Sequence, residues 1–223
     1  MASRCPWSPN TITFAALIIS LGAAALLATR HFLLAIVFVI IGGLADAFDG
    51  IVARAQQKTS SYGDFLDHVA DRIADTALAT CWMIGNEVRE SLVLIVVILV
   101  MLNGYIGTQI EATFRERSYE PVGRGEFVLA LIVFPIASSI VYDNGWNTLR
   151  FAGLTIAEWL AIALLLFALV GVAQRFAIAK RMARSSAIRS RAIRSSSRRT
   201  ARAARTFFAT TTRSARSARD MKR

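Results

Sequence analysis

Five aspartates fall within thirty residues of one another in the segments GGLADAFDGIVARAQQ and YGDFLDHVADRIAD: Asp46, Asp49, Asp67, Asp71 and Asp75. The surrounding residues are apolar, and an aspartate at the centre of a membrane helix costs about 2.5 to 3.5 kcal/mol. Only Arg54 and Arg72 are close enough in sequence to offset them, so the array asks for a further cation. At 100° per residue, Asp46, Asp49, Gly50 and Ala53 follow the i, i+3, i+4, i+7 pattern of one helix face. Gly63, Asp67 and Asp71 follow i, i+4, i+8 and form a second stripe. Two such stripes at one depth can face each other and share a hard divalent ion, Mg²⁺ or Mn²⁺, of the kind that bridges carboxylates to phosphate oxygens. Gly50 and Ala53 leave beside them the space a diphosphate needs. Taken singly, each carboxylate equally fits a proton or ion path, and each glycine equally fits helix packing.

The elements that must position these residues are membrane helices. The chain has 223 residues, 55% of them hydrophobic, with mean hydropathy +0.48. That excludes an ordinary soluble domain. Six apolar stretches are long enough to cross the bilayer: Thr11 to Ala28, Phe32 to Ala53, Phe65 to Gly85, Leu92 to Ala112, Glu126 to Tyr142, and Ile156 to Ile178. Runs such as LVLIVVILVM lack the alternation of a barrel strand. The expected fold is therefore an all-α membrane protein, six transmembrane helices in a bundle with a polar, cytoplasm-facing active-site cavity.

Charge divides the chain in two. From Lys180 onward there are 15 Lys and Arg against one acid, Asp220, leaving 11 bases and 14 acids for everything before it. Residues 1–180 are read as the six-span domain, and 181–223 as an Arg- and Ser-rich cytoplasmic tail without enough large apolar residues to fold alone. With the tail inside, Arg4, Arg54, Lys58, Arg115, Arg117 and Arg124 are also inside, and only Arg30, Arg89 and Arg150 are outside. Both termini and the aspartates then face the cytoplasm of an integral membrane protein. The tail emerges beside the membrane, so anionic lipid is its expected partner, with no specific nucleic acid; Phe207 and Phe208 suit the interface. Cys5 and Cys81 show no disulfide or metal-ligand spacing, and the first apolar run lacks the charged start of a cleavable signal peptide.

Taken together the array reads Asp46-x2-Asp49-Gly50-x2-Ala53-Arg54-x8-Gly63-x3-Asp67-x3-Asp71. It resembles the signature of the CDP-alcohol phosphotransferase family at all eight fixed positions, and the likeness covers about residues 8 to 180. The resemblance implies transfer of a phosphoalkyl group from a CDP-linked lipid donor to the hydroxyl of a small polar acceptor, with release of CMP. It implies that Asp46, Asp49, Asp67 and Asp71 hold metal, two ions of Mg²⁺ or Mn²⁺, and that Asp71 is the general base. By the same resemblance Gly50, Ala53, Arg54 and Gly63 lie near the nucleotide, and a homodimer pairs through two membrane helices.

Other features are less tightly fixed. The stretch Ser8 to Thr13 looks like the family's opening segment, placing Asn10 and Thr13 at the nucleotide, and equally suits a helix N-cap. His68, adjacent to Asp67, points off the acidic stripe and is expected in packing. Asp75, one turn deeper, is expected to pair with Arg72 or a polar group of another span. Arg115, Arg117 and Arg124 are candidates for an acceptor phosphate, or serve only the positive-inside rule. Members using inositol phosphate often carry an Arg-Ala-Lys-Ala-Glu-like stretch where this chain has Gly107-Thr108-Gln109-Ile110-Glu111, which leaves glycerol phosphate, inositol phosphate or an uncharged hydroxyl open. An intramembrane prenyltransferase would show two separated Asp-rich motifs, and a cation transporter would carry acids along its whole path.

Overall fold

A computed structural model of the chain describes residues 6–114 and 124–186. Six long helices account for nearly all of them: α1 (Pro9–Ala28), α2 (Phe32–Ala55), α3 (Ser61–Gly85), α4 (Glu90–Phe114), α5 (Arg124–Asp143) and α6 (Ile156–Ser186). They coincide one for one with the six apolar stretches. α6 runs eight residues past the expected Ile178, and the largest shift at a helix start is at α3, which begins four residues before the expected Phe65. Its start is set by Ser60, whose hydroxyl accepts from the Gly63 amide at 3.0 Å, with Asp64 in the first turn favoured by the helix dipole. Ser8 caps α1 in the same way, accepting from the Thr11 amide at 3.2 Å, with Pro9 at the first helical position.

Four helices, α1, α2, α4 and α6, are long and apolar enough to cross a membrane by length and composition. α3 carries the aspartates, and the apolar part of α5 is the shorter Leu129–Asp143. Leu33, Val37, Ile40 and Leu44 on α2, and Leu94, Ile98 and Met101 on α4, are exposed on the bundle surface. A bilayer covers such a surface; water does not. The chain is an integral membrane protein.

The core is built from small residues on α1 and large ones around them. Ala23, Ala24 and Leu27 of α1 pack with Ala79, Trp82 and Met83 of α3, with Ala35 and Val39 of α2, and with Val96 and Leu164 of α4 and α6. Trp82 anchors the centre, its ring 5.3 Å from Phe134 and its Nε1 donating to Ser138 Oγ at 3.0 Å. At Gly85 the backbones of α3 and α1 approach closely: a Cβ there would overlap the Leu27 carbonyl.

The end of the bundle away from the aspartates is fastened by two arginines. Arg30 pairs with Glu87, donates to the Gly85 carbonyl at 2.8 Å and lies 5.0 Å over the Tyr142 ring. Arg89 bonds Glu158 at 2.5 Å and the Gly153 carbonyl at 3.1 Å, and the bond to Glu158 raises its guanidinium above its ordinary pKa. Glu158 in turn accepts from the Thr155 amide at 2.8 Å while Thr155 Oγ1 accepts from the Glu158 amide at 3.2 Å, a capping box at the start of α6. A two-residue hairpin, β1 (Arg150–Phe151) and β2 (Leu154–Thr155), leads into it, turning through Ala152 and Gly153 at φ 51° and 79°.

Candidate active site

The two acidic stripes meet. One carboxylate oxygen from each of Asp46, Asp49 and Asp67 lies within 4.8 Å of the others, although the first two stand on α2 and the third on α3. Asp49 is buried, and Asp46 and Asp67 are half-buried. Three oxygens at this spacing, all hard donors, fit one divalent cation drawn between them. Without a cation the same three charges repel at short range, so the donor set and its charge both suit a resident metal.

Asp71 is buried one turn deeper on α3 and stands outside that tight trio. With Asp46, Thr13 and Asp75 it lines a cleft of about 60 Å³ between α1, α2, α3 and α5, floored by Ala74, Leu78 and Leu131. That space holds a few waters. The predicted fourth ligand therefore lines this cleft, while the other three form an oxygen cluster beside it through Asp46.

Four of the residues expected near a nucleotide come together in two pairs. A Cβ at Gly63 would meet Ser60 Oγ at 3.3 Å and Asn10 Oδ1 at 3.5 Å, which puts Asn10 of α1 beside the first turn of α3. A Cβ at Gly50 would meet the Arg54 guanidinium at 3.6 Å, so Arg54 folds back along the face that carries Asp46 and Asp49. Ala53 is half-buried on that face. The buried Thr13 hydroxyl donates to Asp49 Oδ2, so it holds a carboxylate in place. Sequence reasoning placed it near the nucleotide and missed that contact, which depends on how α1 packs against α2.

His68 points away from the trio, 3.7 Å from Glu111 on α4, in agreement with a packing role. Asp75 is buried with Arg72 Nη1 3.8 Å from its Oδ2. Of the acceptor-phosphate candidates, Arg115 and Arg117 lie outside the described residues, and Arg124 opens α5 with its side chain also outside them. The structure adds a cation that sequence reading passed over. Arg175 of α6 donates to the Asn103 carbonyl at 2.5 Å and fills the space over Gly107, where any side chain would displace it. The glycine at the head of Gly107-Thr108-Gln109-Ile110-Glu111 thus has a packing reason.

The sequence profile of the CDP-alcohol phosphatidyltransferase family matches residues 7–170. The chain belongs to this family. A curated relative, the archaetidylinositol phosphate synthase of Pyrococcus horikoshii, is 34% identical over 82 residues, 37% of this chain and 44% of that protein. The chain thus spans less than half the length of that relative. The inner membrane protein YnbA of Escherichia coli is 30% identical over 146 residues, 63% of this chain and 73% of that protein. Among solved structures, the phosphatidylinositol phosphate synthase PgsA1 of Mycobacterium tuberculosis superposes with TM-score 0.59 at 23% identity, covering 77% of this chain and 88% of that one in its apo form. The same enzyme with manganese and citrate gives TM-score 0.59 at 23% identity, over 78% of this chain and 82% of that one. With CDP-DAG bound it gives 0.56 at 23% identity, over 77% and 87%. At that identity the likeness establishes the fold.

The family match contains all four aspartates and the pairs Asn10–Gly63 and Gly50–Arg54. It ends before Arg175, and the basic tail lies wholly beyond it.

Proposed function

We propose that this chain transfers a phosphatidyl-type group from a CDP-linked lipid to the hydroxyl of a small polar acceptor and releases CMP. The observation that carries the reading is the carboxylate trio of Asp46, Asp49 and Asp67, whose Asp46 lines one cleft with Asp71. A divalent ion held by the trio, Mg²⁺ or Mn²⁺ and two ions by analogy with the family, would neutralise the diphosphate and the leaving CMP. Asn10, Gly50, Ala53, Arg54 and Gly63 receive the nucleotide head, where the two glycines leave room and Arg54 supplies donors to phosphate. Thr13 fixes the Asp49 carboxylate. Asp71 accepts the acceptor's proton as its oxygen bonds to the lipid-side phosphorus, and the bond from that phosphorus to the CMP oxygen breaks with the electron pair leaving on CMP.

The setting suits a lipid donor. Asp71 stands about 15 Å along α3 from its first residue, so tails can remain in hydrocarbon while the head reaches the helix ends. The Arg-rich tail and the positive-inside rule support a cytoplasmic side for that end and both termini. Anionic lipid is the proposed partner of the tail, and a homodimer remains the family's precedent.

For the acceptor, the relative from Pyrococcus horikoshii, a synthase of archaetidylinositol phosphate, makes inositol phosphate the first to test. Glycerol phosphate follows, because the Gly107 to Glu111 stretch departs from the inositol-phosphate pattern. The experiment incubates purified full-length protein in lipid with CDP-diacylglycerol, Mg²⁺ or Mn²⁺ and inositol phosphate, glycerol phosphate, inositol or serine, and measures CMP. Release that requires one phosphorylated acceptor supports the reading; no release with any of them contradicts it.

A further inference from the structure

Arg72 stands on α3 between two faces, one carrying Asp71 and Asp75 into the cleft and the other packed against α4. Its Nη1 is 3.8 Å from Asp75 Oδ2, and its Nε is buried without a hydrogen-bond partner. A half-buried guanidinium whose buried Nε has an unmet donor is not held in place by hydrogen bonding alone. Gly104 of α4 supplies the remaining constraint. A Cβ there would overlap Cδ and Nη1 of Arg72 and lie 3.0 Å from Cζ, so the absence of a side chain makes a notch that the arginine fills.

Charge explains what the notch is for. Asp71 and Asp75 are neighbours at i, i+4 on one helix face, where like charges repel, and both are buried, which strengthens the repulsion. Asp75 also lines the same cleft as Asp46. An uncompensated carboxylate there competes for cations with the trio and pushes on Asp71.

We infer that Arg72, seated in the Gly104 notch, is a positioning residue: it neutralises Asp75, keeps that carboxylate out of the metal set and so fixes Asp71 for proton transfer. The inference rests on the proposed transfer reaction. It goes beyond that reading by assigning a role to a cation and a glycine outside the eight-position signature.

The test uses the full chain in lipid with Arg72→Met, Arg72→Lys, Gly104→Ala, Asp75→Asn and the Arg72→Met/Asp75→Asn pair. Two readouts are taken: kcat and KM for CDP-diacylglycerol, and Mn²⁺ binding followed by electron paramagnetic resonance. Arg72→Met is expected to lower kcat by about 10- to 100-fold, the scale of a small misplacement at a reacting group, with KM within about twofold of wild type. Arg72→Lys recovers part of the loss, and Gly104→Ala reproduces it with Arg72 still present. The decisive signature is rescue: adding Asp75→Asn to Arg72→Met returns kcat to within about threefold of Asp75→Asn alone. Arg72→Met alone also tightens Mn²⁺ binding, because Asp75 then adds its charge to the site. Unchanged kcat in Arg72→Met, or multiplicative losses in the double variant, overturns the inference. If wild type releases no CMP, the transfer reading fails, and the Mn²⁺ isotherms still decide the pairing: unchanged binding in Arg72→Met contradicts it. Gly104→Ala, the smallest change, serves if Arg72→Met does not fold.

Discussion

The Thr13 hydroxyl donates to Asp49 Oδ2, a bond that ties the second turn of α1 to the buried carboxylate of α2. It holds the carboxylate that stands beside Asp46 and Asp67. Groups that orient a metal ligand typically contribute about 10- to 100-fold in metal affinity. Thr13→Val, which keeps the shape and removes the donor, is therefore expected to weaken Mn²⁺ binding by about that factor with little change in thermal stability. A Mn²⁺ titration of the variant against wild type checks it, and equal affinities would show that Asp49 is held by other contacts.

Asp71→Asn separates proton transfer from metal binding. The trio of Asp46, Asp49 and Asp67 lies within 4.8 Å without it, so metal should still bind. Turnover should fall by about 10²- to 10⁴-fold, the usual contribution of a general base. Side-by-side measurement of CMP release and Mn²⁺ affinity checks the split. Near-normal turnover would remove the general-base role.

Gly85 tests the packing that brings α1 against α3. A methyl group at this position would overlap the Leu27 carbonyl, which is backbone and has little freedom to move. Gly85→Ala is expected to destabilise the protein by about 1 to 3 kcal/mol, the range for overpacked cores. A thermal melt in detergent reads this directly, and an unchanged midpoint would mean that the two helices part easily.

Much of this architecture is legible in the sequence because lipid imposes a strict rule. Apolar stretches of sufficient length must become helices, so α1 to α6 follow from composition alone. Helical periodicity likewise places Asp46 and Asp49 on one face and Asp67 and Asp71 on another. Periodicity does not say which helix each face meets. The Thr13–Asp49 bond, the Arg175 guanidinium over Gly107 and the Arg72 guanidinium in the Gly104 notch all join residues far apart in the chain, and each depends on packing angles that no local pattern encodes. The start of α3 is a different kind of miss. Ser60, followed by Ser61, Gly63 and Asp64, carries an N-cap signal that the hydropathy of the span, rising only at Phe65, obscured.

The carboxylate trio is the centre of the account, and metal dependence tests it most directly. CMP release from CDP-diacylglycerol would be followed for the full chain in lipid with a phosphorylated acceptor, before and after chelation, and in Asp46→Asn, Asp49→Asn and Asp67→Asn. The account predicts that chelation abolishes release, that Mg²⁺ or Mn²⁺ restores it, and that each substitution both suppresses release and weakens Mn²⁺ binding. Release that persists after chelation, or that survives in all three variants, would contradict it.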